Sequence, residues 1–343
     1  MQRLSALDAE FLHLEDGVTH MHIAGMSVFE GTPPSEEDVQ ALLASKMHLI
    51  PRYRQRVRHV PFELGRPVWV DDPHFQLAYH VRATALPQPA DDDAARRLMG
   101  RLMSSELDRR RPLWECWVVE GLPADRWALV CKVHHCMVDG IAGVGLLEAL
   151  LDIDPDADLA EPEPWVPAPE PSGAAMVIDA WAGALGDAFE QLGAVPRAVS
   201  DPVAAARGVG ELCSGMARFA RQLVYAPDNA LDGAVGPHRV WAHSSATIAD
   251  VKRIRTAFGG TLNDVVLAAV TAGYRELLIA RGDDPSTVTF RTLVPVSVRG
   301  TDARGVADNR VSGILYDLPV GIEDPVERLA AVHEEMAELK SSH

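Results

Sequence analysis

The sequence predicts an α/β protein with mixed sheets that is divided into two domains. Its 343 residues exceed what one small domain needs, and 47% of them are hydrophobic. Strand-like and helix-like patterns alternate on both sides of a segment rich in Pro, Asp, Glu and Ala. We therefore predict an N-terminal domain at 1–152, a linker and helical connection at 153–236, and a C-terminal domain at 237–343.

Composition excludes several function classes. The net charge of −17 disfavours nucleic acid or an anionic membrane surface as the main partner, because both would repel the chain. The four cysteines show no disulfide-framework spacing, and neither a signal peptide nor an apolar run long enough to span a membrane is apparent. We expect a cytoplasmic protein, with peripheral contact to the inner membrane or lipid droplets left open.

The first domain reads as helices and strands in alternation. Ser35 is a suitable N-cap for the second helix, because acidic residues fill the first turn after it. Arginines recur in 52–58, which is typical of a solvated basic face. Helices are predicted at 4–14, 35–49 and 91–107, strands at 20–30, 67–70 and 77–83, and an extended segment at 107–114.

A strand at 126–133 ends in two adjacent histidines, His134 and His135. After Gly140 the apolar residues of 141–151 recur at three- and four-residue steps, which predicts a helix. The histidines therefore lie at a strand-to-helix turn, where a side chain can be directed into a cleft.

A neutral imidazole can take a proton from a hydroxyl or thiol at neutral pH, so this turn suits general base catalysis. Neighbouring side chains of a strand point to opposite faces, which predicts that one histidine acts and the other supports it. Asp139 either holds the turn through an ion pair or backbone N–H groups, or orients the imidazole directly.

A metal site is the competing interpretation of the same stretch. Cys131, His134, His135 and Cys136 are close in sequence. Strand spacing does not bring four such ligands to one point, and no further Cys or His pair stands at zinc-site spacing. Acyl transfer is therefore favoured, with no metal.

The second half of the chain repeats the α/β pattern after two Ala- and Gly-rich helical segments. Thr261 is a natural N-cap, complemented by an acid at the third helical position. Helices are predicted at 174–192, 202–225, 248–258, 262–280 and 324–340, and strands at 239–249, 287–298 and 311–318.

The sequence resembles a known superfamily of acyltransferases at the histidine turn. The order His-His-x-x-x-Asp-Gly at 134–140 resembles the acyltransferase superfamily that includes chloramphenicol acetyltransferase and condensation domains. The runs at 5–11, 21–25, 108–115 and 262–268 narrow this resemblance to one family, because nearly the whole chain is similar to the bacterial wax ester synthase/diacylglycerol acyltransferase family.

The resemblance implies two chloramphenicol-acetyltransferase-like domains with a channel between them. Members of the family continue past the residue at which this chain stops, so we expect the second domain to be incomplete. The missing C-terminal segment of the same protein is then an expected partner.

The resemblance also implies a reaction. A long-chain fatty acyl group would pass from acyl-CoA to the hydroxyl of diacylglycerol or of a long-chain alcohol, without a covalent acyl-enzyme or a prosthetic group. The implied roles are general base for His135, support for His134, orientation by Asp139 and a turn at Gly140. Arg54 is the expected partner of Asp139.

Two further groups of residues follow from the same resemblance. Pro112, Leu113 and Trp114 would lie near the channel, although a tryptophan at a strand edge is more often core. Asn263 and Asp264 would face the active-site region, although Asp264 also suits a capping role.

Three alternatives remain open. The same fold serves condensation-type enzymes that use a small or carrier-bound acceptor. A non-catalytic lipid-binding protein would retain the motif without using it. A metal-dependent hydrolase would contain stoichiometric zinc.

Overall fold

The computed structural model describes residues 2–137, 151, 160–183, 231, 233–297 and 311–341. The described chain forms two compact units. The first holds the described residues up to 183 together with Val235–Ala242, and the second holds residues 231, 233 and 234 and the described residues from His243 onward. Residues 141–150 of the predicted helix 141–151 and the whole predicted helix 202–225 lie outside the described residues, as do Asp139 and Gly140.

The first unit consists of short helices and strands in alternation. Its strands are β1 (Gln2–Arg3), β2 (His22–Glu30), β3 (Gln55–Arg58), β4 (Val68–Asp71), β5 (Val81–Ala85), β6 (Trp114–Leu122) and β7 (Arg126–His134). Its helices are α1 (Ala6–Leu14), α2 (Glu36–Lys46), α3 (Leu77–His80), α4 (Asp92–Ser104) and α5 (residues 173–183). Short 3-10 turns lie at Pro51–Arg54, Pro61–Glu63 and His135–Met137.

Two sheets organise this unit. A three-stranded sheet has the order β1-β4-β3, and a four-stranded sheet has the order β2-β7-β6-β5. In the larger sheet β5 pairs parallel to β6, whereas β6, β7 and β2 pair antiparallel. The predicted mixed α/β class is therefore confirmed.

The two faces of β7 differ because side chains alternate along a strand. Leu129, Cys131 and Val133 join the apolar core on the α2 side. Val130 packs on the α4 side, where Lys132 and His134 are also buried. One face of β7 is thus wholly apolar, and the other becomes polar towards its end.

Two predicted strands of the sequence are wrong, at least in part. Of the predicted strand 77–83, the portion Leu77–His80 is a helical turn, because the Tyr79 N–H donates to Gln76 and the His80 ring stacks on Trp114 at 4.5 Å. The segment 239–247 is extended but joins no sheet. There the Arg239 N–H donates to the Ser104 hydroxyl on α4 at 2.7 Å, so this donor is bound to a helix side chain rather than a strand.

The second unit contains two helices, a two-stranded antiparallel sheet and a closing helix. These are α6 (Ile248–Phe258), α7 (Leu262–Arg281), β8 (Phe290–Ser297), β9 (Val311–Leu318) and α8 (Pro325–Ser341). Their apolar faces form one core that includes Leu278, Tyr316 and Val332. Thr261 caps α7 as predicted, in a reciprocal capping box with Asp264.

Candidate active site

The site is built where β7 ends beside the start of β2. His134 is the last residue of β7 and pairs with His22 across the antiparallel ladder. The 3-10 turn begins at His135, whose N–H donates to the Met21 carbonyl at 2.8 Å. The neighbouring strand therefore fixes the position where the chain leaves the sheet.

His134 is completely buried. Its Nδ1 accepts a hydrogen bond from the Cys136 N–H at 3.1 Å, so a neutral ring carries its proton on Nε2. Nε2 faces the Glu15 carboxylate at 3.5 Å, an ion-pair distance that is long for a hydrogen bond. Both ring nitrogens point into the protein, which makes His134 a support for the turn.

Glu15 connects three parts of the site. Its carboxylate accepts from Arg109 at 2.7 Å and from the Met21 N–H at 3.2 Å while it faces His134. Burial alone would raise the pKa of Glu15, but the facing His134 and Arg109 side chains outweigh it and lower the pKa to about 2. Glu15 is therefore a buried anion that joins the C-terminal end of α1 to the histidine turn.

His135 is only partly buried, unlike His134. Its ring stacks on Phe11 of α1, with 4.4 Å between the ring centroids and 28° between the planes. Nδ1 is buried and has no hydrogen-bond partner in the described part of the chain. Nε2 is therefore the nitrogen that a substrate hydroxyl would reach.

Two more polar groups lie on the same face of the sheet. The fully buried Lys132 donates to the carbonyls of Leu102, at 2.8 Å, and Ser105, at the end of α4. His22 donates from Nε2 to the Met103 carbonyl at 2.9 Å. Burial lowers the pKa of Lys132 to about 8, and burial with the nearby Lys132 lowers the pKa of His22 to about 4.

The predicted contact between Arg54 and Asp139 cannot be seen in the structure, because Asp139 lies outside the described residues. The Arg54 guanidinium lies over the Trp165 ring at 4.6 Å, a cation–π contact. The predicted pair between Arg54 and Asp139 stays a prediction.

Pro112, Leu113 and Trp114 are all buried. The Trp114 ring is fully enclosed, and its Nε1 donates to the Tyr53 carbonyl at 2.8 Å. The Leu113 carbonyl accepts from the His134 N–H at 2.9 Å, so this segment also supports the histidine turn. Packing accounts for these contacts, and a channel-lining role stays a prediction.

Asn263 and Asp264 lie at the start of α7 in the second unit, where Asn263 is exposed. Asp264 is 1% exposed and accepts from the Thr261 N–H at 2.8 Å. It also accepts from His333 Nδ1 on α8 at 2.9 Å. These contacts account for the burial of Asp264, because it caps α7 and connects α7 to α8.

The cysteine and histidine side chains that the structure describes do not form a metal site. Within the described ranges, no group of three or more His, Cys, Asp or Glu side chains is arranged to hold a metal ion. Cys131 instead contacts Cys116 across the strand pair, with 3.6 Å between the sulfurs. Among the helices that the structure describes, none is long and apolar enough to cross a bilayer.

Sequence reasoning missed the role of Glu15 and understated those of Phe11, His22 and Arg109. Glu15 follows the last residue of α1 and bears no local signal of its role. His22 would have been recognised from the register, since it pairs with His134, but pairing partners are not evident from one sequence.

Two domain models of one protein family match this chain. The wax ester synthase/diacylglycerol acyltransferase catalytic domain matches residues 4–266, and the C-terminal domain of the same family matches residues 307–343. A probable diacylglycerol O-acyltransferase of Mycobacterium tuberculosis is 39% identical over 343 residues, which cover 99% of this chain and 72% of that protein. A putative diacylglycerol O-acyltransferase of Mycobacterium bovis matches with the same identity and coverage.

Solved structures show the same similarity in three dimensions. A wax ester synthase/diacylglycerol acyltransferase from Marinobacter aquaeolei superposes with a TM-score of 0.64 at 26% identity, covering 100% of this chain and 73% of that one. The first condensation domain of the CDA synthetase superposes with a TM-score of 0.59 at 18% identity, covering 99% and 74% of the two chains. The second likeness is one of fold alone.

Proposed function

This chain belongs to the wax ester synthase/diacylglycerol acyltransferase family of acyltransferases, and on that premise we propose that it acylates an apolar alcohol. The donor is a long-chain fatty acyl-CoA, and the acceptor is the hydroxyl of diacylglycerol or of a long-chain alcohol. The observation that carries this proposal is the accessible His135, held beside the buried His134 at the end of β7.

His135 is the general base. The acceptor oxygen attacks the thioester carbonyl while Nε2 of His135 takes the hydroxyl proton. The tetrahedral intermediate then collapses, the ester forms, and the CoA sulfur leaves and receives the proton from His135. The products are the ester and free CoA thiol, and no covalent acyl-enzyme is needed.

The other residues act by placing the His135 ring. Phe11 stacks on one face of the ring, and the Met21 carbonyl holds the backbone N–H of the same residue. Glu15 accepts a hydrogen bond from the Met21 N–H and faces His134, and both of these residues contact or adjoin His135. We assign Glu15 and His134 as positioning residues.

Acyl transfer from a long-chain acyl-CoA, followed by release of free thiol, tests this function. The assay is run with diacylglycerol and with hexadecanol for the parent, for His135→Ala and for His74→Ala. His74 is an exposed histidine outside the site, so His74→Ala is the matched control. We expect acceptor-dependent thiol release that falls about a hundredfold or more in His135→Ala and is unchanged in the control.

Two results would contradict the proposal. If His135→Ala releases thiol as fast as the parent, His135 is not the base. If neither acceptor stimulates release, the acceptor is of another class, and carrier-bound acceptors or simple lipid binding become the better explanations.

A further inference from the structure

A cavity of about 470 Å³ lies between α4 and the extended segment at 238–241 of the first unit. We call it the α4 cleft. Arg96, Arg97 and Arg101 line it from α4, and Arg239 and Trp241 line it from the extended segment. We propose that the α4 cleft binds the nucleotide end of the acyl-CoA donor, an assignment that rests on the proposed function.

The charge of the α4 cleft is opposite to that of the whole chain. The chain carries a net charge of −17, so a nucleotide phosphate would be repelled by most of its surface. Four arginines line the cleft, and Asp93 is the only carboxylate beside them in its lining. A phosphate group would therefore find local cations in an otherwise acidic protein.

Two of these arginines are available for a ligand. Asp93 pairs with Arg96, whereas Arg97 and Arg101 are exposed and form no ion pair with a carboxylate in the described part of the chain. They are four residues apart on a helix, so their side chains lie on one face. Guanidinium groups bind phosphate oxygens in a bidentate manner, which suits a pyrophosphate or a phosphate monoester.

A second basic cavity provides a contrast. It measures about 260 Å³, and the arginines that line it are Arg56, Arg58, Arg109 and Arg110. Glu170 already pairs with Arg56 at 2.8 Å and with Arg58 at 3.0 Å. Glu15 pairs with Arg109 at 2.7 Å, and Asp108 pairs with Arg110 at 2.9 Å. Its cations are largely neutralised by protein carboxylates, so it is the weaker phosphate site.

The extended wall of the α4 cleft is fixed rather than loosely placed. The Arg239 N–H donates to the Ser104 hydroxyl at 2.7 Å, and its guanidinium donates to the Val18 carbonyl at 2.6 Å. A methyl group built on Gly100 would lie only 2.6 Å from the Arg239 carbonyl, so glycine permits this close approach. The cleft is thus present before any ligand binds.

Trp241 gives the cleft an aromatic surface. Its ring packs against the core between α4 and the sheet, and its side chain is partly exposed at the cavity. Aromatic side chains of this kind stack on nucleotide bases, and the cavity volume falls within the range of small-molecule sites. Phosphate-binding arginines beside an aromatic ring match the two ends of an adenosine bisphosphate.

The cleft is joined to the active site through the end of α4. Ser104 lines the cleft, and the preceding Met103 carbonyl accepts from His22, which pairs with His134. With the nucleotide held in the cleft, the flexible pantetheine arm would follow the end of α4 towards His135. The acyl group would then be delivered by a donor anchored at its far end.

The first test is direct binding. Adenosine 3′,5′-bisphosphate is titrated calorimetrically into the full chain, into Arg97→Ala/Arg101→Ala and into the control Arg253→Ala/Arg255→Ala. Both pairs are exposed helical arginines, and alanine preserves the helix in each case. We expect affinity to fall about tenfold or more in the cleft variant and to stay at the parental value in the control.

Binding outcomes that overturn the assignment are definite. If the parent and the cleft variant bind adenosine 3′,5′-bisphosphate with equal affinity, or if the parent does not bind it, the α4 cleft is not the nucleotide site. Equal affinity of the parent for inorganic pyrophosphate and for the nucleotide would show a phosphate site without base recognition, and the nucleotide assignment would fail.

The second test uses a truncated donor. The KM of acyl-CoA and that of acyl-pantetheine, which lacks the nucleotide, are compared in all three proteins. We expect the cleft variant to raise the KM of acyl-CoA about tenfold towards that of acyl-pantetheine while kcat stays unchanged, since remote binding is lost.

The failures of the two proposals are distinguishable. If the parent transfers from both donors with one KM, the nucleotide site is wrong and acyl transfer stands. If the parent transfers from neither donor, the proposed function fails, and the calorimetric comparison alone decides whether the cleft binds a nucleotide.

Discussion

The two units each bury a carboxylate next to a histidine, and they place those histidines differently. In the first unit Glu15 faces His134, whose side chain is 0% exposed. In the second unit Asp264 accepts from His333, whose side chain is 50% exposed. The pair of Glu15 and His134 is buried next to a second histidine, His135, which is accessible. In the second unit the accessible histidine is His333, which is itself the partner of Asp264.

The difference separates two uses of the same chemical pair. Asp264 completes the capping box of α7 and ties α7 to α8, so its contacts are accounted for by helix structure. Glu15 stands at the C-cap of α1, but its carboxylate contacts the Met21 N–H before β2 and faces the histidine turn. Of the two carboxylates, Glu15 is therefore the one whose contacts bear on the candidate site.

The largest expected effect comes from removing the buried histidine. His134→Ala leaves a cavity beside Glu15, and replacing a large buried ring with alanine costs about 3 to 5 kcal/mol in the free energy of unfolding. Chemical denaturation at neutral pH measures this loss. A free energy of unfolding within about 1 kcal/mol of the parent would show that the His134 ring does not stabilise the histidine turn.

The next effect is a pH dependence at acid pH. The lowered pKa of Glu15 means that its contribution is present above the unfolded pKa of 4.5 and is lost as pH falls towards 2. Glu15→Gln keeps the shape of the side chain without its charge. Between pH 5 and about 2, the free energy of unfolding of the parent should therefore fall by about 3 kcal/mol more than that of the variant. Parallel stability curves for the two proteins would rule out an ionised, stabilising Glu15.

Lys132 gives a smaller effect of the same sign at alkaline pH. Its pKa is lowered from 10.5 to about 8, so above pH 8 the unfolded chain binds more protons than the folded one and stability rises with pH. Between pH 8 and 10, the free energy of unfolding of the parent should rise by about 2 kcal/mol relative to that of Lys132→Met. Denaturation midpoints of both proteins across this range measure the change. A stability difference between the two proteins that does not vary with pH would contradict the lowered pKa of Lys132.

The smallest effect is expected in the second unit. His333→Ala removes a partner that is 50% exposed, and solvent-exposed pairs contribute about 0 to 1 kcal/mol. Thermal unfolding of this variant beside His134→Ala compares the two pairs directly. A loss for His333→Ala as large as that for His134→Ala would remove the distinction between them.

Local features of the fold were predictable from the sequence. Ser35 and Thr261 both form the predicted caps, because an N-cap depends only on residues within one turn. The strand before the histidines was also predicted correctly, since its apolar run is continuous. The strand predicted at 239–249 was wrong, because strand-forming residues also suit an extended segment whose hydrogen bonds go to a helix.

The candidate site was predictable only where its residues are adjacent in sequence. His134 and His135 were found from their motif, whereas Glu15 and His22 reach them only through tertiary pairing. Burial and cross-strand register determine these contacts, and neither is encoded in a window of a few residues. The roles of Asp139 and Arg54 rest on resemblance and stay predictions.

The pairing of β2 with β7 has a kinetic consequence. His22 and His134 face each other although most of the first unit's chain separates them, so the ladder closes a long loop. Helices such as α4 form from local contacts in about a microsecond, while non-local pairing must first overcome loop-closure entropy. On refolding, the helical circular dichroism signal should therefore return before acyltransfer activity does.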